Sequence, residues 1–591
     1  MEHAIDSQTH SAAKIEALGL LKPVAASERI AALDVIRGFA LIGIFFMNVE
    51  WFNRSFADFS LGIPVGVSGL DWWAHYFVNF FVAGKFWTIF SLLFGMGFAL
   101  MLGRAEETGR AFLLPYIRRI IGLAIFGILH TVLVWPGDIL YSYAFTAAGL
   151  LIVLFGRWQW IVLSILLMLG LSAIPKMGES FGSLAAMIGL MGVLALFIRN
   201  ERRFKILGFT VPLFSLILLI GLCLLLLAVG ATWLIPAMLA ARTGLIVAAS
   251  LVGVTAVLTT IFHQPASDRT WRISVLLYCM PFLTMLVFGV IDYQKPLTNV
   301  FHNQAAVKLA AEKMIAKAEK EKVEAAAKLD KGKAEAKESV KKADDNAKPK
   351  TEAEKKLEEA ADRINNIQNR QKEAREDVVL LKTGSYTEVA RHRLKEFLEG
   401  PTRAGGLAFS GIAMFLIGLW FVRAGIMAKT ANHLAFFRKL AAFGLPLGLG
   451  LSVIASSIAV SHVRGVDGDG WQLKDALLNL GNLPTCLAYV SLIVLMLHSN
   501  SIFSKIKVLA PFGRMALTNY LTQSLIQASF FYGWGLGNFG MGRAQQLGFA
   551  VIVIALQIVF SHWWLSKFRY GPMEWVWRAI TYWQIPKLKI E

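Results

Sequence analysis

"RIAALDVIRGFALIGIFFMNV" occupies residues 29–49, with Asp34 and Arg37 entering an apolar run and Asn48 near its end. Between Gly38 and Met47 no side chain is polar. A bilayer core about 30 Å thick needs about 20 predominantly apolar residues to cross it. The whole chain repeats this texture: of its 591 residues 56% are hydrophobic and 17% charged, with a mean hydropathy of +0.55. A water-facing surface has no use for so much apolar side chain. The expected fold is therefore all-α, a polytopic transmembrane helical bundle of about ten to fourteen spans. Asp34 and Arg37 are three residues apart, hence on one helical face, and are expected to pair. Asn48 falls eleven residues beyond Arg37, on the same face, which extends a polar stripe into the bundle. Arg37 also has a plainer reading, as an anchor whose guanidinium snorkels to the interface.

The pattern divides the chain into a polar N-terminal tail (1–28), a membrane core (29–175), additional spans (176–302), a charged insert (303–400), a second membrane core (401–568) and a basic tail (569–591). Short loops that keep Lys and Arg face the cytoplasm. "RNERRFK" (199–205), the segment from Arg423 to Lys439, and Lys505 with Lys507 all fall on one side when the N-terminus is inside. Both termini are then expected in the cytoplasm of a multi-pass inner-membrane protein. The formal charge of +19 follows from these loops and suits contact with membrane lipids. It is not a nucleic-acid footprint. Residues 1–28 hold no apolar core of a cleavable leader. Cys223, Cys279 and Cys486 lie in expected spans, so neither a disulfide framework nor a metal site is expected.

Residues 303–400 break the pattern, with 23 Lys+Arg against 20 Asp+Glu and a high alanine content. Strong helix formers with i,i+4 opposite charges predict a helical hairpin broken near "DDNAKP" (344–349). The orientation puts it outside the cytoplasmic membrane. It reads either as a solvated insertion or as an arm for an envelope protein partner.

The opening stretch resembles the start of the YeiB family of bacterial inner-membrane proteins. So do "GKFWTIFSLLFGMGFAL" (84–100), "ILHTVLVWPGDILYSYAFTAAGLL" (128–151), "GSYTEVARHRLKEFL" (384–398), "GRMALTNYLTQSLI" (513–526) and "RYGPMEWVWRAITYW" (569–583), in the same order. The family resembles a branch of the transmembrane acyltransferase superfamily, whose members open with a similar Asp-x-x-Arg-Gly element. That resemblance implies transfer of an acyl group from a cytoplasmic acyl-CoA-type donor to an envelope glycan or lipid acceptor. The glucosaminide branch's "HxxWxG" block is absent here.

Acyl transfer to a hydroxyl needs a base, donors for an oxyanion and cations for a phosphate-bearing donor. His130 is the candidate base, with Asp138 across a Trp-Pro-Gly turn to orient it; the plainer reading is a histidine satisfied by a carbonyl. Asp34, Arg37, Asn48 and Lys85 are candidates for holding the donor, no resident cofactor being expected beside acyl-CoA as co-substrate. Arg514, Thr518, Asn519 and Gln523 are read as projecting from one long helix, lining a polar cavity or acting as interhelical glue. A transporter or flippase stays open as the alternative class, although no inverted repeat is visible.

Overall fold

The structure is a computed structural model. It describes residues 30–54, 68–174, 178–199, 202–206, 208–234, 242–262, 269–293, 375–400, 408–461 and 470–590, with isolated residues 320, 323 and 372. Among these, nine helices are long and apolar enough to cross a membrane. Four further apolar helices are shorter, and two of them, Leu140–Phe155 and Trp158–Leu171, match neighbouring spans read from the sequence. The helical bundle stands. The expected hairpin of the insert lies outside the described residues.

Helix α1 (Ala31–Phe52) is buried along most of its length. A short helix α2 (Gly69–Phe77) and a π-helical turn (Val78–Val82) lead through Gly84, at φ 77°, into α3 (Lys85–Thr108). The positive φ at Gly84 lets the chain turn without a Cβ clash. Then come α4 (Leu113–Leu133), α5 (Leu140–Phe155), α6 (Trp158–Leu171) and α7 (Gly178–Arg199). The basic loop after α7 contains an unexpected antiparallel hairpin, β1 (Arg203–Ile206) paired with β2 (Phe209–Pro212). Helices α8 (Leu213–Leu234), α9 (Arg242–Phe262) and α10 (Arg269–Asp292) follow. Helix α8 has a mean hydropathy of 2.9 over its best window with 6% of that window buried, the mark of a lipid-facing helix.

After the insert, residues 375–383 are helical, and α11 (Tyr386–Glu399) starts on a capping box between Ser385 and Glu388. The Ser385 amide and hydroxyl donate to Glu388 and hold its carboxyl below the usual range. The C-terminal core comprises α12 (Ala408–Arg423), α13 (Leu434–Ser461), α14 (Trp471–Leu497), a short α15 (Leu509–Arg514), α16 (Ala516–Phe531), α17 (Arg543–Lys567) and α18 (Pro572–Tyr582). The long helix expected through "GRMALTNYLTQ" is broken at Met515, between α15 and α16. The cause is close packing. A Cβ on Gly513 would overlap the Asp34 carbonyl, so α15 lies against α1 at a glycine and the chain redirects after it.

Helices α3 and α12 touch in the same way, with backbone against backbone at Gly95 and Gly418. Small residues at such crossings replace the hydrophobic drive that lipid cannot supply. Gly418→Val should therefore lower the thermal stability of the detergent-solubilised protein by about 1–3 kcal/mol, the usual cost of overpacking. Gly103→Ala, whose Cβ would meet nothing within 4 Å, is the control and should be neutral or slightly stabilising.

Candidate functional site

His130 sits in the last turn of α4, and residues 134–139 turn back sharply into α5. Asp138 closes that turn: its Oδ2 accepts from the Tyr141 amide at 2.7 Å, satisfying a free N–H at the start of α5. Its Oδ1 lies 2.9 Å from His130 Nδ1, and both side chains are 1% exposed. The turn therefore joins the two residues that sequence spacing could not orient. Neither His130 ring nitrogen makes a hydrogen bond among the described residues; Nδ1 faces Asp138 across the 2.9 Å ion-pair contact, and Nε2 is left available from a fully buried position. Gly127 permits the arrangement, since a Cβ there would overlap the Tyr141 backbone and the Asp138 carboxylate.

Two cavities lie near this pair; Asp138 lines one of them, and His130 lines neither. One, of about 280 Å³, opens among Arg37, Arg104, Arg119, Arg514 and Arg578 and runs inward past Phe90 and Leu93 to Tyr520. Arg37 contacts Asp34 at 2.7 Å, as the spacing of three predicted, and Arg119 lies 4.1 Å from the centre of the Trp577 ring. The second cavity, of about 410 Å³, has Asp138 in its wall with Trp51, Arg54, Tyr141 and Tyr532. Asp377, His392 and Glu396 close it, so the last residues of the charged segment build part of the core. They are held there by Arg393 Nη1 donating to the Val134 carbonyl at 2.5 Å and Tyr386 donating to the Leu133 carbonyl at 3.0 Å. Arg37 and Arg54 stand at opposite ends of α1, about 25 Å apart at 1.5 Å per residue. The cavities thus lie toward opposite ends of the bundle.

The other candidates fall in several places. Arg514 lines the arginine-rich cavity; Thr518, Asn519 and Gln523 line neither. Thr518 Oγ1 donates to Glu574 at 2.6 Å, and the same carboxylate accepts from the Leu517 and Thr518 amides, capping α16. Asn519 donates to Ser561 and to the Phe512 carbonyl, and Gln523 donates to Gln557 at 2.9 Å. These contacts tie α16 to α17 and α18. Asn48 is half-buried, also outside both cavities. Lys85, fully buried, is at the far end of α3 from Arg104 and donates to the Asn79 carbonyl at 3.4 Å. The structure does not bring Asn48 or Lys85 to Arg37.

Sequence reading passed over Glu50, an ionisable residue inside the first span, which was the available signal. Glu50 Oε1 lies 2.9 Å from Arg543 Nε, and its Oε2 is 3.3 Å from Arg54 Nη1 and accepts from Gln546. Asn53 extends the network to Gln546 and the Met541 carbonyl. Glu50→Ala should destabilise the protein by about 3–5 kcal/mol, because it strands a buried arginine. The double variant with Arg543→Ala should recover part of that loss, read from thermal unfolding of purified protein.

Residues 421–584 match the family model described as "Protein of unknown function (DUF418)". The chain is 24% identical over 585 residues to "Uncharacterized protein YxaH" of Bacillus subtilis (strain 168), covering 95% of this chain and 97% of that protein. It is 38% identical over 135 residues to the "Uncharacterized 39.9 kDa protein in amylase 3'region" of Bacillus acidopullulyticus, 23% of this chain and 36% of that one. It is 42% identical over 95 residues to "Uncharacterized protein YeiB" of Escherichia coli (strain K12), 16% of this chain and 24% of that one. No solved structure matches. The matches support the YeiB family for this integral membrane chain.

Proposed function

We propose that the protein is a membrane acyltransferase that takes an acyl group from an acyl-CoA-type donor on the cytoplasmic side. It passes that group to a glycan or lipid acceptor of the cell envelope. One observation supports this above the rest: a buried histidine–aspartate pair, whose aspartate stands in the wall of one cavity, sits in a bundle with a second, arginine-rich cavity toward the opposite end. The arginine-rich mouth suits a phosphate-bearing donor, since guanidinium groups bind phosphates through paired, charge-assisted hydrogen bonds. The apolar wall behind it suits an acyl chain. His130 Nε2 takes the proton of the acceptor hydroxyl as oxygen attacks the thioester carbonyl, and Asp138 holds the ring and balances the imidazolium. On this reading the arginine-rich end and both termini are cytoplasmic, in a bacterial inner membrane.

Reporter tags test the orientation: one at Arg202 should report cytoplasm, and one at Lys348 the opposite side. A cytoplasmic signal at Lys348 overturns it. The chemistry is tested by release of CoA thiol in membranes supplied with radiolabelled acyl-CoA. His130→Ala should lower turnover by about 10² to 10⁴, the worth of a general base, and leave donor binding intact. Arg37→Ala should weaken donor affinity by about 1.5–3 kcal/mol, typical for a charge-assisted contact, and Arg37→Lys should restore part of it. A parent protein that neither binds acyl-CoA of any chain length nor releases CoA overturns the reading.

A further inference from the structure

Tyr520, on α16, joins the wall of the arginine-rich cavity to the buried pair. It lines that cavity, its ring centre lies 5.2 Å from that of His130, and its hydroxyl is 3.4 Å from Asp138 Oδ1. The residue is 5% exposed. An O–H···O bond normally closes to about 2.7–2.8 Å, so at 3.4 Å the phenol holds Asp138 loosely. An oxyanion forming within reach of the cavity wall would compete with the carboxylate for its proton, which a neutral carbonyl would not. Tyr143 also lines the cavity, but its hydroxyl is already committed to the Trp87 carbonyl at 2.9 Å.

Resting on the acyl-transfer reading above, we infer that Tyr520 is a further catalytic residue, the hydrogen-bond donor to the oxyanion formed on the acyl group. The step balances with the groups at hand. The acceptor oxygen bonds to the thioester carbon, the carbonyl π pair moves onto oxygen, and the acceptor proton goes to His130 Nε2. The Tyr520 hydroxyl donates to the new oxyanion, which is more basic than the carbonyl it came from and so binds the phenol more tightly. The oxyanion then collapses, the carbon–sulfur bond breaks, and the CoA thiolate takes the proton from His130. Tyr520 itself keeps its proton throughout. Its place on the donor side fits this division: His130 serves the incoming hydroxyl, and Tyr520 serves the acyl oxygen.

The test uses membrane vesicles from cells expressing the full chain, radiolabelled acetyl-CoA and octanoyl-CoA as probes, and transfer of label to the membrane fraction as readout. Tyr520→Phe should lower kcat about 10²- to 10³-fold, the cost of removing one oxyanion donor, with donor Kd within twofold. The pH at which turnover falls on the acid side should not move. A shift of that limb would make Tyr520 a positioning residue acting through Asp138 and overturn the inference, as would an unchanged kcat. A Tyr520→Phe protein that accumulates poorly or loses donor affinity would also overturn it if 3-fluorotyrosine at 520, which keeps shape and hydroxyl, did not hold near-parental turnover. Should the parent transfer no label from either probe, the acyl-transfer reading falls with it; parental transfer with an indifferent Tyr520→Phe removes this inference alone.

Discussion

A polar side chain within a bilayer has no water to turn to, and every ionisable group in α1 is placed as that rule demands. Asp34 finds Arg37 at one end, and Glu50 finds Arg543, Arg54 and Gln546 at the other. Between them lie residues that are buried because other helices surround α1: α3, α15, α16 and α17 all pack on it. The partners of the far cluster come from a segment almost five hundred residues later in the chain. The two membrane cores are thus tied through α1, and α1 fixes the distance between the two cavities.

Packing then decides where the chain bends. The contact of Gly513 with the start of α1 ends α15 and lets α16 begin at a new angle, with Glu574 supplying the acceptor for its first amides. This is why the polar residues of α16 face α17 and α18 while Tyr520 faces α4 and α5. Interhelical hydrogen bonds in membranes average only about 0.6 kcal/mol, so the value of the Asn519 and Gln523 contacts lies in fixing rotation more than in stability. A helix turned by one residue, about 100°, would withdraw Tyr520 from Asp138.

How much of this was legible depended on the range of the interaction. The spans and the Asp34–Arg37 pair are local, and hydropathy or a spacing of three reveals them. His130 and Asp138 could be named because both are ionisable residues beside apolar runs, yet their contact depends on a turn whose geometry no periodicity encodes. Tyr520 was missed because a tyrosine in an apolar helix carries no signal of its own. Asn48 shares a helical face with Arg37 but lies three turns away along it, and Lys85 joins Arg37 on residue type alone; counting along an antiparallel second helix puts Lys85 at the other end. The break at Met515 was invisible because its cause, the approach of Gly513 to Asp34, joins segments far apart in sequence.

The far cavity extends this point. Composition marks residues 303–400 as one charged insert, because charged residues of both signs continue past residue 375 although alanine almost stops there. The physical boundary falls where side chains begin to meet the core: Asp377, His392 and Glu396 in the cavity wall, Arg393 on the Val134 carbonyl and beside the Tyr532 ring. Arg393 reaches the residue directly after the helix that carries His130, so the segment both roofs the cavity and braces the turn leading to Asp138. Whatever binds there meets a surface made half by apolar spans and half by a segment that composition alone assigns to solvent. Charge density reports what surrounds a stretch on average. It cannot report which of its residues, at one end, have exchanged water for a neighbouring helix.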